Sequence, residues 1–472
     1  MSSPDLILPA RPQGVTITQW IYEGLRQAIL SGRLRRGSPI PTTRSLAQQY
    51  SVSRRIVVNA FDQLRDEGYL EARIGAGTRV SENVPEDYLA PTSKPVPSTR
   101  LLAPEDAFYR RPVRPFRPME PALDEFPTEL WARLEAKTAR RAGTALLAGG
   151  DASGYFPLRE AIAGHLASVR GVSCTAHEIV ITSGTQQSLD LVARLLLRPR
   201  DEVWMEDPGY LDAIEAFRSA GASVHPVRVD EHGLNPALGR IASPKPRAVY
   251  VTPAHQFPLA VTLSLARRLD LLRWTRQRHI AVIEDDYDSE FRFSGRPVAA
   301  MKGLTGSQHV FLLGTFSKTV FPALRLGYIV VPPQHMDSLL RLRRQTDRYP
   351  PGLSQAVLAA FLNEGHFARH LRRMRELYGT RLHTLRHEAG RRLSGLLRFP
   401  EIEAGLNTPA FLENGMTSRQ AAERAAARGV EAWPLARYAI VRRDLRGLIL
   451  GFAACNERAI REGVIALARA LA

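Results

Sequence analysis

The sequence predicts an α/β protein: a mostly parallel sheet covered by helices, preceded by a small helical unit and a proline-rich joint. Three observations carry this. From about residue 123, short β-rich runs alternate with helical runs, the pattern of a parallel sheet with helices on its faces. Residues 15–80 show helical spacing and then a glycine-centred hairpin. Residues 81–122 carry nine prolines and no apolar period, as a semi-extended linker does.

In the first region, Ile21, Leu25, Ile29 and Leu30 recur at helical spacing until Gly32 and Gly37 break the pattern. Thr42 or Thr43 suits the N-cap of a short helix, TRSLAQQY. Ser51 or Ser53 suits that of a longer one, SRRIVVNAFDQLRDEG, with Val57, Ala60, Phe61 and Leu64 on one face. YLEARIGAGTRVSE then reads as two short strands around Gly75-Ala76-Gly77.

In the last region, HEIVITSG, DEVWME, SVHPVRV, RAVYVTP, IAVIEDD, HVFLLGT and LGYIVV read as strands. LREAIAGHLASVR, QQSLDLVARLLL, YLDAIEAFRSAG and SLARRLDLLRWTRQRH read as helices. Residues from roughly 345 to 472 mix long helices with short strands such as RGLILGFA, a smaller α+β domain. The expected organisation is therefore 15–80, a linker over 81–122, and 123–472.

The 472 residues carry a formal net charge of +17. That balance suits a polyanionic partner. It is spread along the chain, with eleven Arg against six Asp and Glu in residues 1–80 and the remaining excess beyond 122, so charge alone does not locate a site. Cys174 and Cys455 are the only cysteines, too few for a disulfide scaffold or a cysteine metal site, and a reducing cytoplasm is expected. No signal peptide is legible at the N-terminus, and no apolar run approaches the roughly 20 residues of a membrane helix.

Ligand sites in parallel sheets lie beyond the carboxyl ends of the strands. The runs that end these strands hold polar clusters: Ser183-Gly184-Thr185, Asp207 to Tyr210, His255-Gln256, Asp285-Asp286-Tyr287, and Thr315 to Lys318. Lys318 stands out because the chain has only five lysines, against a large arginine excess. Arginine stays protonated, whereas lysine can lose its proton and attack a carbonyl. Pyridoxal phosphate needs such an amine, a phosphate cradle, a carboxylate for its ring nitrogen and groups that hold the ring. Lys318 suits the amine. The strand–Gly–helix junction at Ser183, Gly184 and Thr185 offers backbone N–H groups to an anion. Thr315 and Ser317 add hydroxyls and Arg325 a guanidinium. Asp285 suits the ring nitrogen, Tyr287 the ring hydroxyl and Tyr210 the ring face. Each residue taken singly has an ordinary surface or core role; their joint occurrence at successive strand ends is what points to the cofactor.

VITSGTQQSLDLVARLLL, VWMEDPGY, VTPAHQFPLAVTLSLARR, VIEDDYDSEFRF and LGTFSKTVFPALRLGY resemble the fold-type I aminotransferases. In particular they resemble the aminotransferase-like half of MocR-type regulators in the GntR superfamily. That resemblance implies pyridoxal 5'-phosphate held on Lys318, Asp285 facing the pyridine nitrogen and Tyr287 the ring hydroxyl. It implies Ser183, Gly184, Thr185, Thr315, Ser317 and Arg325 around the phosphate, Tyr210 on the ring, and His255 and Gln256 near it. PTTRSLAQQYSVSRR with EGYLEARIGAGTRV resembles the GntR-type winged helix-turn-helix. Its second helix leads with Ser53, Arg54 and Arg55, which would enter the major groove of operator DNA. Arg44 would contact phosphate or a base edge, and the hairpin residues Arg73, Gly77 and Thr78 would lie along the duplex.

The chain departs from the pattern in three places. HQFP is followed by Leu259-Ala260, where the family has Thr-Gly or Ser-Gly. GSPIPTT lacks the larger or basic residue usual before Leu-Pro. LILGFAACNE, at 448–457, holds no arginine to clamp a substrate carboxylate, and Arg437, Arg442 and Arg443 lie upstream of it. The expected protein is a regulator whose cofactor domain senses pyridoxal phosphate or an amino compound and changes operator binding, as a head-to-tail homodimer. The alternative is an active aminotransferase with an appended DNA-binding module.

Overall fold

The structure, a computed structural model, describes residues 7–12, 14–73, 77–85, 114–294 and 299–472. The chain divides into two compact units, Met1–Arg110 and Arg111–Ala472.

Among its described residues the first unit holds three helices, α1 (Ile17–Leu30), α2 (Thr43–Gln49) and α3 (Arg54–Asp66). The hydroxyls of Thr16 and Thr42 accept from the backbone N–H groups of Gln19 and Ser45, which caps the first two. Ser53 holds the N-cap position of α3 without a side-chain cap bond. Val57, Ala60, Phe61 and Leu64 are the buried face of α3, as their spacing predicts. Leu30 departs from its expected face: at the end of α1 it is 37% exposed, because the helix stops before the next turn of core can cover it. Strands β1 (Leu70–Arg73) and β2 (Gly77–Val80) pair antiparallel, Arg73 opposite Gly77, as the expected hairpin. Residues 74–76, the expected turn, lie outside the described residues.

Of the linker expected over 81–122, residues 86–113 lie outside the described residues and both ends belong to folded units. Ser81 and Val84 are buried in the first unit. Phe116 and Ala122 are buried in the core of the second. Proline removes backbone donors but does not stop a chain from packing when apolar anchors lie between prolines.

The second unit is centred on an eight-stranded sheet, in the order β3-β10-β9-β8-β7-β4-β5-β6. Its strands are β3 (Ile179–Thr182), β4 (Glu202–Asp207), β5 (Ser223–Asp230), β6 (Gly233–Leu234), β7 (Ala248–Val251), β8 (Ala281–Asp286), β9 (Val310–Thr315) and β10 (Gly327–Val330). Every residue of β3, β7, β9 and β10 is buried, the mark of strands covered on both faces. Pro226 sits in β5 where β6, which pairs only with Val229 and Asp230, leaves the edge open.

The expected parallel arrangement holds for β5, β4, β7, β8 and β9. β10 runs antiparallel to both of its neighbours, so β3 points the same way as β9. Gly327 of β10 pairs with Thr182 on one side and Thr315 on the other. This register sets the Ser183–Thr185 turn beside the Thr315–Lys318 turn, with Arg325 entering between them. A side chain at Gly327 would meet the Gly314 carbonyl at 2.8 Å and the Thr182 hydroxyl at 3.1 Å, so the approach requires glycine.

The smaller domain holds a long helix, His366–Arg392, and an antiparallel sheet, β11-β12-β14-β13. Its strands are β11 (Leu397–Arg398), β12 (Asn407–Leu412), β13 (Trp433–Pro434) and β14 (Gly447–Gly451). Phe116 bridges to Gly451, so the chain entering this unit is tied to the last strand.

Candidate functional site

A cavity of about 600 Å³ opens at the carboxyl ends of β7, β8 and β9. Eight of the expected cofactor residues line it: Thr185, Tyr210, Asp285, Tyr287, Thr315, Ser317, Lys318 and Arg325. The other four stand behind this wall. Gly184 caps the helix Thr185–Leu196 with φ of 113°, and a Cβ there would meet the Arg325 guanidinium at 3.3 Å. Ser183 donates its backbone N–H to Gln187 Oε1 at 2.7 Å. The Gln256 amide is turned into the protein, donating to the Pro208 carbonyl at 2.8 Å and to Glu206 Oε2 at 3.3 Å. His255 lies beneath Tyr287.

Asp285 ends β8 and is buried. Its Oδ2 accepts from the Tyr250 hydroxyl at 2.7 Å, while Oδ1 has no hydrogen-bond partner among the described residues. Burial, with Asp286 and Asp288 adding like charge, pushes the carboxyl up to about 7 against the Tyr250 hydrogen bond. An unsatisfied buried carboxylate oxygen is costly, so a site that keeps one is suited to a ligand that donates to it.

Tyr287 does not stand free. Its hydroxyl is 3.1 Å from His255 Nδ1, which is 3.0 Å from each Asp288 oxygen. His255 and Asp288 are buried, and a Cβ at Gly405 would meet the imidazole at 2.1 Å. The imidazole is therefore wedged in one position, and the Tyr287 hydroxyl is oriented from below.

Lys318 reaches the cavity from the turn after β9, and its amine donates to the Met119 carbonyl at 2.6 Å. Burial, followed by the nearby Arg325, brings the amine down to about 8 against the pull of Asp288 and Glu120. A neutral nucleophilic amine is thus within reach near neutral pH. Thr315 Oγ1 accepts from the Ser317 N–H at 3.1 Å, which fixes the turn carrying the lysine.

Sequence reasoning passed over Tyr250, Thr252 and Glu206. Tyr250 sits mid-strand in RAVYVTP, indistinguishable there from a core tyrosine. Glu206 is buried, accepts from the Thr252 hydroxyl at 2.5 Å and is pushed up to about 7 by burial. The far wall comes from Met119, Trp433, Arg437 and Tyr438, residues remote in sequence from every strand-end cluster.

In the first unit, Arg44, Ser53, Arg54 and Arg55 are exposed at the start of α2 and α3. Arg54 Nε donates to Thr43 Oγ1 at 3.4 Å, which joins the two helix starts. Gly77 is exposed with φ of 75°. The Thr78 carbonyl accepts from the Ile40 N–H at 3.1 Å, so the hairpin is tied to the loop before α2.

Residues 122–400 match the class I and II aminotransferases, and residues 17–80 match the bacterial regulatory proteins of the gntR family. The chain is 38% identical over 465 residues to the probable rhizopine catabolism regulatory protein MocR of Rhizobium meliloti, covering 97% of this chain and 94% of that one. It is 29% identical to the pyridoxine biosynthesis transcriptional regulator PdxR of Corynebacterium glutamicum, covering 97% and 96%. Among solved structures, LysN, an alpha-aminoadipate aminotransferase of Thermus thermophilus, aligns with a TM-score of 0.70 and 30% identity over 75% of this chain and 91% of its own. The chain is thus a DNA-binding transcriptional regulator that couples a GntR winged helix to an aminotransferase-type domain. It belongs to the MocR-type regulators. The cofactor that this membership implies is pyridoxal 5'-phosphate, and the residues present fit it: a half-buried amine, a guanidinium and a buried carboxylate whose second oxygen has no partner among the described residues share one cavity, with the Gly184 turn packed behind the guanidinium. Among the described residues no helix is long and apolar enough to cross a membrane.

Proposed function

We propose that the chain is a cytoplasmic, homodimeric regulator that holds pyridoxal phosphate on Lys318, senses an amino compound through it, and changes its affinity for operator DNA. The observation that carries this reading is that the Lys318 amine lines the same cavity as Asp285, whose Oδ1 has no hydrogen-bond partner among the described residues.

When bound, the cofactor supplies an aldehyde for primary amines and a ring that withdraws electrons. The chain's own residues do the rest. Lys318 supplies an amine whose proton is already loosened by burial. Asp285 would accept a hydrogen bond from the protonated ring nitrogen, and the Tyr250 hydrogen bond keeps its carboxylate oriented. Tyr287, set by His255 and Asp288, donates to the ring hydroxyl. Thr185, Thr315, Ser317 and Arg325 receive the phosphate at the start of the helix Thr185–Leu196, where backbone N–H groups point outward. Tyr210 covers a ring face, its hydroxyl anchored on Asp212 at 2.9 Å.

On the DNA side, Arg54 and Arg55 at the head of α3 read the major groove, with Arg44 and the hairpin residues Arg73, Gly77 and Thr78 on the duplex backbone. A dimer presents two such heads to two half-sites. An effector alters operator binding only by the difference in its affinity for the two forms of the protein.

The test is the visible absorption of purified protein with added pyridoxal phosphate, beside Lys318→Ala, followed by borohydride reduction and peptide mapping. A band lost in the variant, with the label on Lys318, is expected. A wild-type protein without the band, or a label elsewhere, overturns the reading.

A further inference from the structure

The turn that would seat the phosphate spends one of its own donors. The Ser183 N–H goes to Gln187 Oε1 at 2.7 Å. The helix Thr185–Leu196 has Gly184 at its N-cap, and a glycine has no side chain to accept from the first N–H groups of the helix. Gln187, in the first turn of that helix, instead reaches back past the cap. It ties down the residue before the glycine and leaves the N–H groups after it for a ligand.

Gln187 does not hold this position alone. Its Nε2 donates to Asp347 Oδ2 at 2.7 Å. A backbone N–H only donates and a carboxylate only accepts, so one orientation of the amide satisfies both ends. Asp347 is in turn gripped by Arg343, whose Nε lies 2.6 Å from Oδ1 and whose Nη2 lies 3.2 Å from Oδ2. Arg343 is fully buried, and its Nη1 donates to the Ile181 carbonyl at 2.7 Å. Arg343 and Asp347 stand at the end of the helix Met336–Thr346, about 160 residues along the chain from the turn. The end of β3 is therefore grasped at two points, the Ile181 carbonyl and the Ser183 N–H.

This grip falls where the chain is least constrained by itself. Gly184 takes a φ of 113°, which glycine adopts without strain, and it packs against the Arg325 guanidinium. The tether on Ser183 thus sets how the opening of the helix faces Arg325. Gln187, Asp347 and Arg343 are not on the cavity wall, so they act only through the turn.

We propose that Gln187 and Asp347, backed by Arg343, are positioning residues for the cofactor phosphate. They hold the Ser183–Gly184 turn so that the N–H groups opening the helix and the Arg325 guanidinium face one phosphate. This rests on the cofactor reading above.

The experiment uses the full-length protein and two aldehydes, pyridoxal phosphate and pyridoxal, which share the ring and differ in the phosphate. Binding is read from the visible band for wild type, Gln187→Leu, Asp347→Ala and the double variant. The thermal midpoint of the cofactor-free protein checks folding, and Asp347 is exposed, so its replacement spares the core. Wild type should prefer pyridoxal phosphate. Each single variant should lose about five-fold in affinity for pyridoxal phosphate and keep its affinity for pyridoxal, and the double variant should lose no more than Gln187→Leu. A general loosening of the fold would weaken both aldehydes alike. Equal losses for the two aldehydes, or an unchanged preference in Gln187→Leu, overturn this proposal alone. Losses that multiply in the double variant overturn the action of Asp347 through Gln187. No band in wild type with either aldehyde overturns the cofactor reading and this proposal together.

Discussion

The Lys318 amine donates a 2.6 Å hydrogen bond to the Met119 carbonyl. Met119 holds φ of 66°, a left-handed conformation that costs a side-chain-bearing residue about 1 kcal/mol or more. The bond therefore helps hold a strained residue in a segment, 114–122, that leads directly out of the cofactor domain. Pyridoxal phosphate, held on Lys318 as proposed, would compete for the same amine. Lys318→Met, without cofactor, isolates the effect. Hydrogen exchange over 118–121 is expected to quicken several-fold, as the loss of one hydrogen bond of about 1 kcal/mol implies. Near Phe116, whose carbonyl accepts from the Gly451 N–H, protection is expected to persist. Unchanged exchange over 118–121 would separate the lysine from this segment.

Asp285 gives a pH prediction for the cofactor-free protein. Its carboxyl rises from 3.8 unfolded to about 7 folded. The folded form binds the proton more tightly, so the stability this group contributes is full below about 4 and is lost as pH rises through about 7. Asparagine removes the titration and still accepts from Tyr250. Asp285→Asn should gain on wild type by about 2 kcal/mol between pH 5.5 and 8.5, then hold level, while losing cofactor affinity. Denaturation at several pH values measures this. A constant difference between the two proteins would mean that Asp285 is ionised throughout.

Ala260 stands where the resemblance implies a glycine, and its φ is 61°. Its N–H donates to the Gln256 carbonyl at 2.7 Å, so the turn is kept in spite of the side chain. Ala260→Gly should raise stability by about 0.5–1 kcal/mol, since the relief of left-handed strain outweighs the added freedom of the unfolded chain. Thermal unfolding of the two proteins decides it. A lower midpoint would show that the methyl group's packing matters more.

Arg54 is exposed at the head of α3, and among the described residues its side chain donates to Thr43. Arg54→Ala should weaken operator binding by about 1–3 kcal/mol and leave the cofactor band untouched. Gel-shift titration at fixed salt measures it. Equal affinity would remove Arg54 from the DNA contact.

Much of this protein is legible in its sequence because the signals are local. Seven strand runs and their helices follow from apolar period alone, and the face of α3 is read residue by residue. Lys318 and Asp285 are legible because a strand end followed by a polar turn has one direction in a parallel sheet, whereas Arg325, ahead of the antiparallel β10, is legible only as a guanidinium close in sequence to that turn. Tyr250, Met119, Trp433 and Arg437 were not. Tyr250 is a strand residue whose neighbour across the sheet, not along the chain, gives it a partner in Asp285. Met119 and Arg437 reach the cavity from segments about 200 and 120 residues from Lys318, and no spacing rule links them. The sequence by itself determined which residue types stand at the strand ends and hence the chemistry available. Only the tertiary structure decided which amine, carboxylate and guanidinium share a cavity, because strand register and the packing of the last strand are set by contacts between distant residues.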